Sequence, residues 1–433
     1  MAEWILRPVP FIERCNERYG DFFAVRFVLG NILWIADPDV IKRVFTGDPD
    51  VLHAGEGNAA PLEFIMGPNS VLLLDEPEHM RQRKLMLPSF HGERMQRYGD
   101  LMREITDRDI DDWPVGAPFP LRKRTQAITL DVIMRAVFGV DDAERLARLR
   151  GALTPLLDMG TRQVAMIVIA FPAMRRTLGK RIWNQFMRRR AEADALIYDE
   201  IRRRRDDPST VDRDDVLSIL LQARDEDGNA MTDEELRDEL VTLLLAGHET
   251  TATSISWAFD LLLHHPHKLA RLREEVAAGQ DEYLDAVIKE TLRIRPVVPG
   301  VVRKLTAPVE LRGYEIPAGT RVAPNIYLTH MNPAVYPEPK RFLPERFLGN
   351  GADTYSWIPF GGGIRRCLGA SFALYEMKIV IPAILNRVEI EAAGPSERIT
   401  RRAITFAPHA DGQVLVTAKR PAERRVESLA SAA

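Results

Sequence analysis

The sequence predicts a mainly α-helical protein with a small β-rich lobe. From about residue 75 to about 295, apolar residues recur at helical spacing with few glycines between them. Strand patterns lie near the two ends: Phe22 to Val28 and Ile32 to Ala36 flank a Leu-Gly-Asn turn, and a second β-like stretch runs from Val309 to Val322. We expect a single domain over residues 1–433, with a β-rich portion up to about residue 75 and a disordered tail from about residue 420.

The composition excludes several classes of protein. The 433 residues carry 59 Lys and Arg against 62 Asp and Glu, and the resulting net charge of −3 argues against a dedicated nucleic-acid binder. Two distant cysteines, Cys15 and Cys367, exclude a disulfide framework and a four-cysteine zinc site. The longest apolar run, Val164 to Met174, has about half of the roughly 20 residues that span a bilayer. We therefore expect a soluble, cytoplasmic protein with no membrane span.

One helix is predicted to be much longer than the rest. Thr232-Asp-Glu-Glu235 is a capping box, and no proline follows until Pro266. The middle of this segment has low helix propensity, since glycine and β-branched residues both weaken a helix. Its sequence is Leu245-Ala-Gly-His-Glu-Thr-Thr-Ala-Thr-Ser254. Spacings of three and four place Leu243, Ala246, Gly247, Thr250 and Ser254 on one face. Close packing against another helix and the approach of a bulky ligand both explain such a face.

A glycine-rich loop, Phe360-Gly-Gly-Gly-Ile-Arg-Arg-Cys-Leu-Gly369, precedes another predicted helix. A dinucleotide fingerprint would need a third glycine where Arg366 stands, and a phosphate loop would need Gly-Lys-Ser/Thr. The remaining interpretation is a cysteine thiolate presented to a metal, because a helix start favours negative charge. Small residues before Cys367 would let a flat macrocycle lie against the loop.

These motifs resemble those of the cytochrome P450 family. The fixed positions of the family's haem-binding loop are matched by Phe360, Gly361, Gly363, Arg365, Cys367 and Gly369. Ala246 to Thr251 is similar to the oxygen-activating segment of the long distal helix, and Glu290-Thr-Leu-Arg293 and Pro344-Glu-Arg-Phe347 match two further marks in the right order. The resemblance implies the P450-like fold, with a meander and haem-thiolate loop over about residues 296–375.

The resemblance implies haem b as the cofactor. Cys367 would be the axial ligand of the iron, as a thiolate that favours cleavage of dioxygen. The haem propionates would be neutralised by His79, Arg83, Arg303 and Arg365, and Ala246 and Gly247 would open a groove for dioxygen.

The same resemblance assigns further roles along the chain. Thr250 and Glu249 match an alcohol–acid pair, in which the hydroxyl holds a water and the carboxylate relays protons. Glu290, Arg293 and Arg346 would form a structural triad that keeps the cysteine loop in place.

The substrate pocket is expected to be apolar. Its wall would include residues from the variable loop before residue 78, from the long helix and from the segment after Arg293: Leu62, Phe64, Met66, Val71, Leu72, Leu243, Val297 and Val298. Each of these residues could equally belong to the core. We expect a lipophilic substrate such as a fatty acid, terpenoid or steroid; Arg162 or Arg175 could anchor a carboxylate.

Taken together, the resemblance implies a monomeric haem-thiolate monooxygenase that hydroxylates an unactivated C–H bond with O₂. Electrons would come from a separate ferredoxin or flavodoxin with its NAD(P)H reductase, docked against Arg81, Lys84 and Arg366. Two alternatives stay open: the same cofactor used for peroxygenation or oxidative coupling, and a haem carrier or sensor without turnover.

Overall fold

A computed structural model describes residues 2–27, 30–90, 94–140, 142–177, 179–349 and 353–422. All but the first few residues of the tail predicted from residue 420 lie outside the described residues. None of the described helices is both long and apolar enough to cross a membrane.

Helices make up most of the described chain. In chain order they are α1 Ala2–Leu6, α2 Pro8–Tyr19, α3 Pro38–Thr46, α4 Ala54–Met66, α5 Glu78–Met86, α6 Arg94–Asp111, α7 Leu121–Phe138, α8 Ala143–Thr161, α9 Gln163–Ala170, α10 Pro172–Arg176, α11 Lys180–Asp206, α12 Val216–Gln222, α13 Asp233–Leu263, α14 Pro266–Ala277, α15 Glu282–Ile294, α16 Ile326–His330 and α17 Ala370–Arg387.

The strands of the described residues form four small sheets. In chain order they are β1 Phe22–Phe27, β2 Gly30–Ile35, β3 Leu52–His53, β4 Phe119–Pro120, β5 Arg303–Leu305, β6 Val309–Leu311, β7 Tyr314–Ile316, β8 Arg321–Pro324, β9 Val388–Ala392, β10 Ile399–Arg402, β11 Thr405–Pro408 and β12 Gln413–Lys419. The largest sheet has the order β1-β2-β8-β5-β3, so it joins the predicted N-terminal hairpin to strands from beyond residue 300. The prediction of a mainly α protein with a small β-rich lobe is confirmed.

The first 75 residues are mixed rather than β-rich. They contain β1, β2 and β3 but also the four helices α1 to α4. Helix α3 shows why: Asp37 caps it by accepting hydrogen bonds from the backbone N–H groups of Asp39 and Val40 at 2.8 and 3.2 Å. An Asp-Pro pair is a helix start signal because proline suits the first helical position.

Helix α13 runs through the centre of the helical body. It spans 31 residues, which is about 47 Å at 1.5 Å per residue. Its predicted capping box is present, with Thr232 and Glu235 bonding each other's backbone N–H. The helix packs against α7, α15 and α17, so residues on nearly every side of it are buried.

A buried ion pair joins α15 to the segment that leads into the cysteine loop. Arg293 bonds both oxygens of Glu290 at 2.6 and 2.8 Å, and neither side chain has any solvent exposure. The same carboxylate accepts from Arg346 at 3.2 Å and from the backbone N–H of Leu343 at 2.9 Å. The structure thus brings the predicted triad together.

His330 extends this cluster to the cysteine loop. Its Nε2 accepts from the backbone N–H of Ile358 at 2.9 Å, so the proton lies on Nδ1, which donates to the carbonyl of Arg293 at 3.1 Å. Burial, reinforced by the charge of Arg293, lowers the pKa of His330 to about 3. The neutral ring therefore links α15 to the chain two residues before Phe360.

Arg293→Met should lower the free energy of unfolding by about 3–5 kcal/mol, because it leaves the Glu290 carboxylate buried without its main partner. Arg341→Met is the matched control. Its exposed pair with Glu338 should contribute about 0–1 kcal/mol. Urea denaturation of both variants measures the difference, and equal losses would contradict a dominant role for the buried pair.

The neutral state of His330 predicts a pH dependence of stability. The unfolded chain binds a proton on this residue below its ordinary pKa of 6.5, and the folded chain does not until about 3. Stability should therefore be lost as pH falls through this window, by up to about 1.4 kcal/mol per pH unit. Urea denaturation at several pH values should give a shallower slope for His330→Asn than for the wild type; parallel slopes would disprove the assignment.

Candidate active site

The backbone of the glycine-rich loop is held in one conformation. Gly361 and Gly363 have φ values of 68° and 64°, in the left-handed region that favours glycine. A Cβ on Gly363 would come within 2.0 Å of the carbonyl oxygen of Phe45 in α3, so the loop packs directly against this helix. The backbone N–H of Cys367 donates to the carbonyl of Phe360 at 2.9 Å and closes the loop.

Cys367 lies deep in the protein and is nevertheless accessible. Its side chain is exposed by surface area, yet burial raises the pKa of its thiol. Both hold for a thiol that is surrounded by protein and faces an internal space. The backbone N–H of Gly369, Arg83 and Arg366 act in the opposite direction and lower this pKa. The sulfur therefore sits among groups that favour a thiolate, at the start of the 18-residue helix α17.

The middle of α13 has a gap in its burial. Leu240 to Leu244 and Thr251 to Leu262 are buried, whereas Ala246 is exposed and Gly247 and Thr250 are half-buried. An exposed alanine in the middle of an otherwise buried helix indicates an internal space. The predicted face of small residues thus borders a cavity, in agreement with ligand approach, although Gly247 also packs close to Ile133 of α7.

The hydroxyl of Thr250 is oriented by its own helix. Its Oγ1 donates to the carbonyl of Ala246 at 2.7 Å, and Ser254 in turn donates to the carbonyl of Thr250 at 2.9 Å. Because the hydroxyl hydrogen is committed to Ala246, the oxygen has its lone pairs left for an incoming donor.

The side chain of Glu249 is directed towards α7 and not towards the face of α13 that carries Thr250. Glu249 is 4% exposed, and its carboxylate pairs with Arg122 at 2.7 Å and accepts from Gln126. Arg122 also bonds Asp411, which precedes β12, at 2.5 Å. The predicted alcohol–acid pair is therefore adjacent in sequence, but in this structure the acid is held in a buried ion pair.

Two of the four predicted propionate partners have no carboxylate partner among the described residues. Arg303 on β5 is 6% exposed and donates to the carbonyl of Val302, and burial lowers its pKa to about 10. Arg83 on α5 is half-buried, and burial likewise lowers its pKa. Within the described residues neither has a carboxylate oxygen within 4 Å, so both remain available for an anion.

The other two predicted propionate partners are engaged by acidic residues. Arg365 bonds Asp75 at 3.0 Å, and the carboxylate of Asp75 also accepts from the backbone N–H groups of Gly55 and Glu56. His79 bonds Glu76 through Nδ1 at 2.6 Å, which leaves Nε2 for a second partner. Burial, followed by the charge of Arg365, lowers the pKa of His79.

Most of the residues expected to line a substrate pocket pack in the core. Leu62, Met66, Val71 and Leu243 are at most 9% exposed and belong to the main hydrophobic cluster, and Val297 is 6% exposed, so their place in a pocket wall stays a prediction. The remaining three, Phe64, Leu72 and Val298, are partly exposed.

The loop after α4 is fastened to α13 by polar contacts that the sequence did not indicate. Asp238 accepts from the backbone and side chain of Asn69 at 2.9 Å, and Glu239 accepts from the backbone N–H of Val71 at 2.8 Å. Glu239 is fully buried, and this burial raises its pKa well above the usual range. Its partner lies 168 residues away, so no local signal could have identified the contact.

Two of the cations predicted to receive a redox partner are neutralised within the chain. Arg81 pairs with Asp225 at 2.6 Å and Glu235 at 2.7 Å, and Lys84 pairs with Glu226 at 2.6 Å. Arg366 is exposed and, among the residues described, has no acidic partner within 4 Å. The expected basic patch is thus reduced to one free residue.

These residues fit a flat macrocycle that carries an iron and two carboxylates. A deep but accessible thiol suits the metal, the small residues of α13 leave space, and the two unpaired guanidiniums suit the carboxylates.

Comparisons with known proteins agree with this chemistry. The family model described as "Cytochrome P450" matches residues 7–411. Cytochrome P450 135B1 of Mycobacterium tuberculosis is 44% identical over 431 residues, which cover 98% of this chain and 90% of the relative. Cytochrome P450 137 of the same organism is 41% identical over 397 residues, which cover 91% and 83% of the two chains.

Solved structures share the fold. A retinoic acid-bound cyanobacterial cytochrome, CYP120A1, has a TM-score of 0.82 and 25% identity, with 96% of this chain and 95% of that chain covered. The haem domain of cytochrome P450DA has a TM-score of 0.81 at 23% identity, with 95% and 93% covered, and shows the fold alone.

The chain belongs to the cytochrome P450 family, and it is accordingly a haem b enzyme of the monooxygenase class.

Proposed function

We propose that this cytochrome P450 hydroxylates a lipophilic small molecule at an unactivated C–H bond, with Cys367 as the axial ligand of its haem. The observation that carries the proposal is the thiol of Cys367, which is deep in the protein, accessible from an internal space, and three residues before the first residue of α17. When bound, the haem supplies the iron at which dioxygen is activated with two electrons.

The chain's own cations would hold the cofactor's carboxylates. Arg83 and Arg303 are the first candidates, since both are buried or half-buried charges without an acidic partner among the described residues. Arg365 and His79 would join them by exchanging or sharing their contacts with Asp75 and Glu76. A bidentate guanidinium–carboxylate contact is charge-assisted and therefore stronger than a neutral hydrogen bond.

Thr250 would hold the water from which protons reach the reacting oxygen. Its hydrogen is donated to the Ala246 carbonyl, so the hydroxyl oxygen can accept a hydrogen bond from a water in the adjoining space. The accessibility of Ala246 and Gly247 leaves room for that water beside the helix.

Glu249 would supply protons to this water only after its contact with Arg122 is exchanged. The carboxylate is buried and paired at 2.7 Å, and Arg122 retains a second partner in Asp411. Rotation of Glu249 away from α7 therefore leaves the guanidinium paired, which lowers the cost of releasing the carboxylate.

The substrate is proposed to be an apolar molecule of the terpenoid, fatty acid or steroid class, with a carboxylate at one end. The structurally similar cyanobacterial protein binds retinoic acid, an apolar carboxylic acid. In this chain the guanidinium of Arg175 packs against the rings of both Phe64 and Trp183, with its Cζ 4.0 and 4.7 Å from the ring centroids. Its Nε donates to the carbonyl of Ile169 at 3.0 Å, and no carboxylate of the described residues pairs with it.

A ferredoxin or flavodoxin is proposed to supply electrons on the side of Arg366. This residue follows the loop turn Gly363–Arg365 and precedes Cys367 directly, so a partner bound there would be close to the haem. Ile364, 40% exposed, adds an apolar contact beside it.

The substrate class is tested by a library of terpenoid acids, fatty acids and steroid acids, each paired with its methyl ester. We expect the free acids to shift the haem spin state at concentrations at least tenfold below their esters, and Arg175→Met to remove that preference. Arg176→Met, an exposed neighbour on α10, is the control and should keep it. Visible absorbance titration measures both. Product formation with NAD(P)H and a redox chain distinguishes monooxygenation; binding without any turnover across the library would favour a carrier.

Thr250→Ala should leave substrate affinity unchanged and lower the product formed per NAD(P)H consumed by about tenfold or more, because proton delivery by a positioned group contributes on the order of 10²–10⁴-fold. The missing electrons should be recovered as hydrogen peroxide. Thr250→Ser keeps a hydroxyl and should retain most of the coupling. Unchanged coupling in Thr250→Ala would refute the role of this residue.

Arg366→Gln should slow haem reduction by the redox partner several-fold and weaken its dependence on salt, because exposed charges are screened by ions. Lys84→Gln should have a smaller effect, since Glu226 already neutralises Lys84. Stopped-flow reduction at low and high salt compares them. Equal effects of the two substitutions, or a rate independent of salt, would argue against docking at Arg366.

A further inference from the structure

A cavity that is open to solvent is formed by α6, α7 and α8, away from the cysteine loop. Its volume is about 560 Å³, within the range of small-molecule sites. Arg108 of α6, Asp131 and Arg135 of α7 and Arg150 of α8 line it. Three guanidinium groups against one carboxylate leave the lining with a charge of +2.

The single carboxylate does not neutralise all three cations. Asp131 pairs with Arg150 and lies 3.6 Å from Arg108. Arg108 also has Glu104 at 3.8 Å on its own helix, outside the cavity lining. Arg135 has no acidic oxygen within 4 Å among the described residues, and its Nε is buried with no hydrogen-bond partner.

The wall formed by α8 offers one further donor. Thr154 has a buried hydroxyl oxygen with no hydrogen-bond partner. Nothing lies within 4 Å of the position that a Cβ on Gly151 would take, so this part of the wall is open.

The partial burial of positive charge at this site favours an anion. Burial, followed by the neighbouring charge of Arg108, lowers the pKa of the Arg150 guanidinium. A bound anion would offset both effects. Guanidinium groups match phosphate oxygens by their planar fork of donors, and they do so better than they match a single chloride ion.

We propose that the cavity between α6, α7 and α8 binds a small molecule carrying a diphosphate group. The three arginines would hold the phosphate oxygens, and Thr154 would donate its free hydroxyl hydrogen. A diphosphate has enough oxygens to accept hydrogen bonds from all three guanidinium groups. The site is separate from the haem chemistry and does not depend on the proposed hydroxylation.

Isothermal titration of the haem-loaded protein with pyrophosphate tests the proposal. We expect one site per chain, and at least a tenfold weaker dissociation constant for Arg135→Met, which removes the unpaired charge but keeps most of the stem. Arg148→Met is the matched control: this residue is exposed on α8, does not line the cavity and should leave affinity unchanged.

The substitution Asp131→Asn should change the affinity for pyrophosphate in the opposite direction. Removing the competing carboxylate should tighten pyrophosphate binding several-fold, an effect that loss of folding could not produce. Absence of binding to the wild type, equal affinity of Arg135→Met, or weaker binding to Asp131→Asn would each overturn the proposal.

Two further titrants identify the source of the diphosphate. ADP binding more tightly than pyrophosphate, with the same dependence on Arg135, would support a nucleotide; pyrophosphate binding more tightly would support an inorganic or non-nucleotide diphosphate. Hexaglutamate binding more tightly than either would show that the site takes an acidic protein segment, and would overturn the assignment to a small molecule.

Discussion

The buried pair of Glu290 and Arg293 is the contact on which the position of the cysteine loop depends. It has no solvent exposure, and its carboxylate also binds Arg346 and the backbone of Leu343. Such a pair is costly to break because an unpaired charge would be left in the interior. Through His330 the pair is joined to Ile358, close to the start of the loop that carries Cys367. The position of the Cys367 sulfur therefore depends on charged residues that take no part in its chemistry.

The long helix α13 combines two demands that conflict in its sequence. A capping box at Thr232 stabilises its N-terminus, and apolar residues are buried along most of its length. Its centre is made of residues that weaken a helix, since only small side chains leave space beside the backbone. Packing against α7, including the pair of Glu249 with Arg122, holds the weak centre in helical form.

Features with local signatures could be predicted from the sequence, and contacts between distant segments could not. The glycine-rich loop, the capping box and the Glu-x-x-Arg spacing each lie within ten residues, and the structure assembles all three geometries. The partner of Glu249 lies 127 residues away and that of Arg365 lies 290 residues away, so no periodicity could reveal them. The apolar loop before residue 78 was ambiguous, because core and pocket residues have the same composition. Arg81 and Lys84 look free in sequence, and only the fold brings Asp225, Glu235 and Glu226 to them.

The ligation of haem by Cys367 is tested most directly by the absorbance spectrum of the reduced protein with carbon monoxide. The account predicts that the main band of the wild type moves to the long wavelength typical of a thiolate-bound haem. Cys367→His, prepared with the same haem supply, should place the band at the shorter wavelength of an imidazole-bound haem. A wild-type band at the shorter wavelength, or a long-wavelength band that survives the loss of this cysteine, would contradict the assignment.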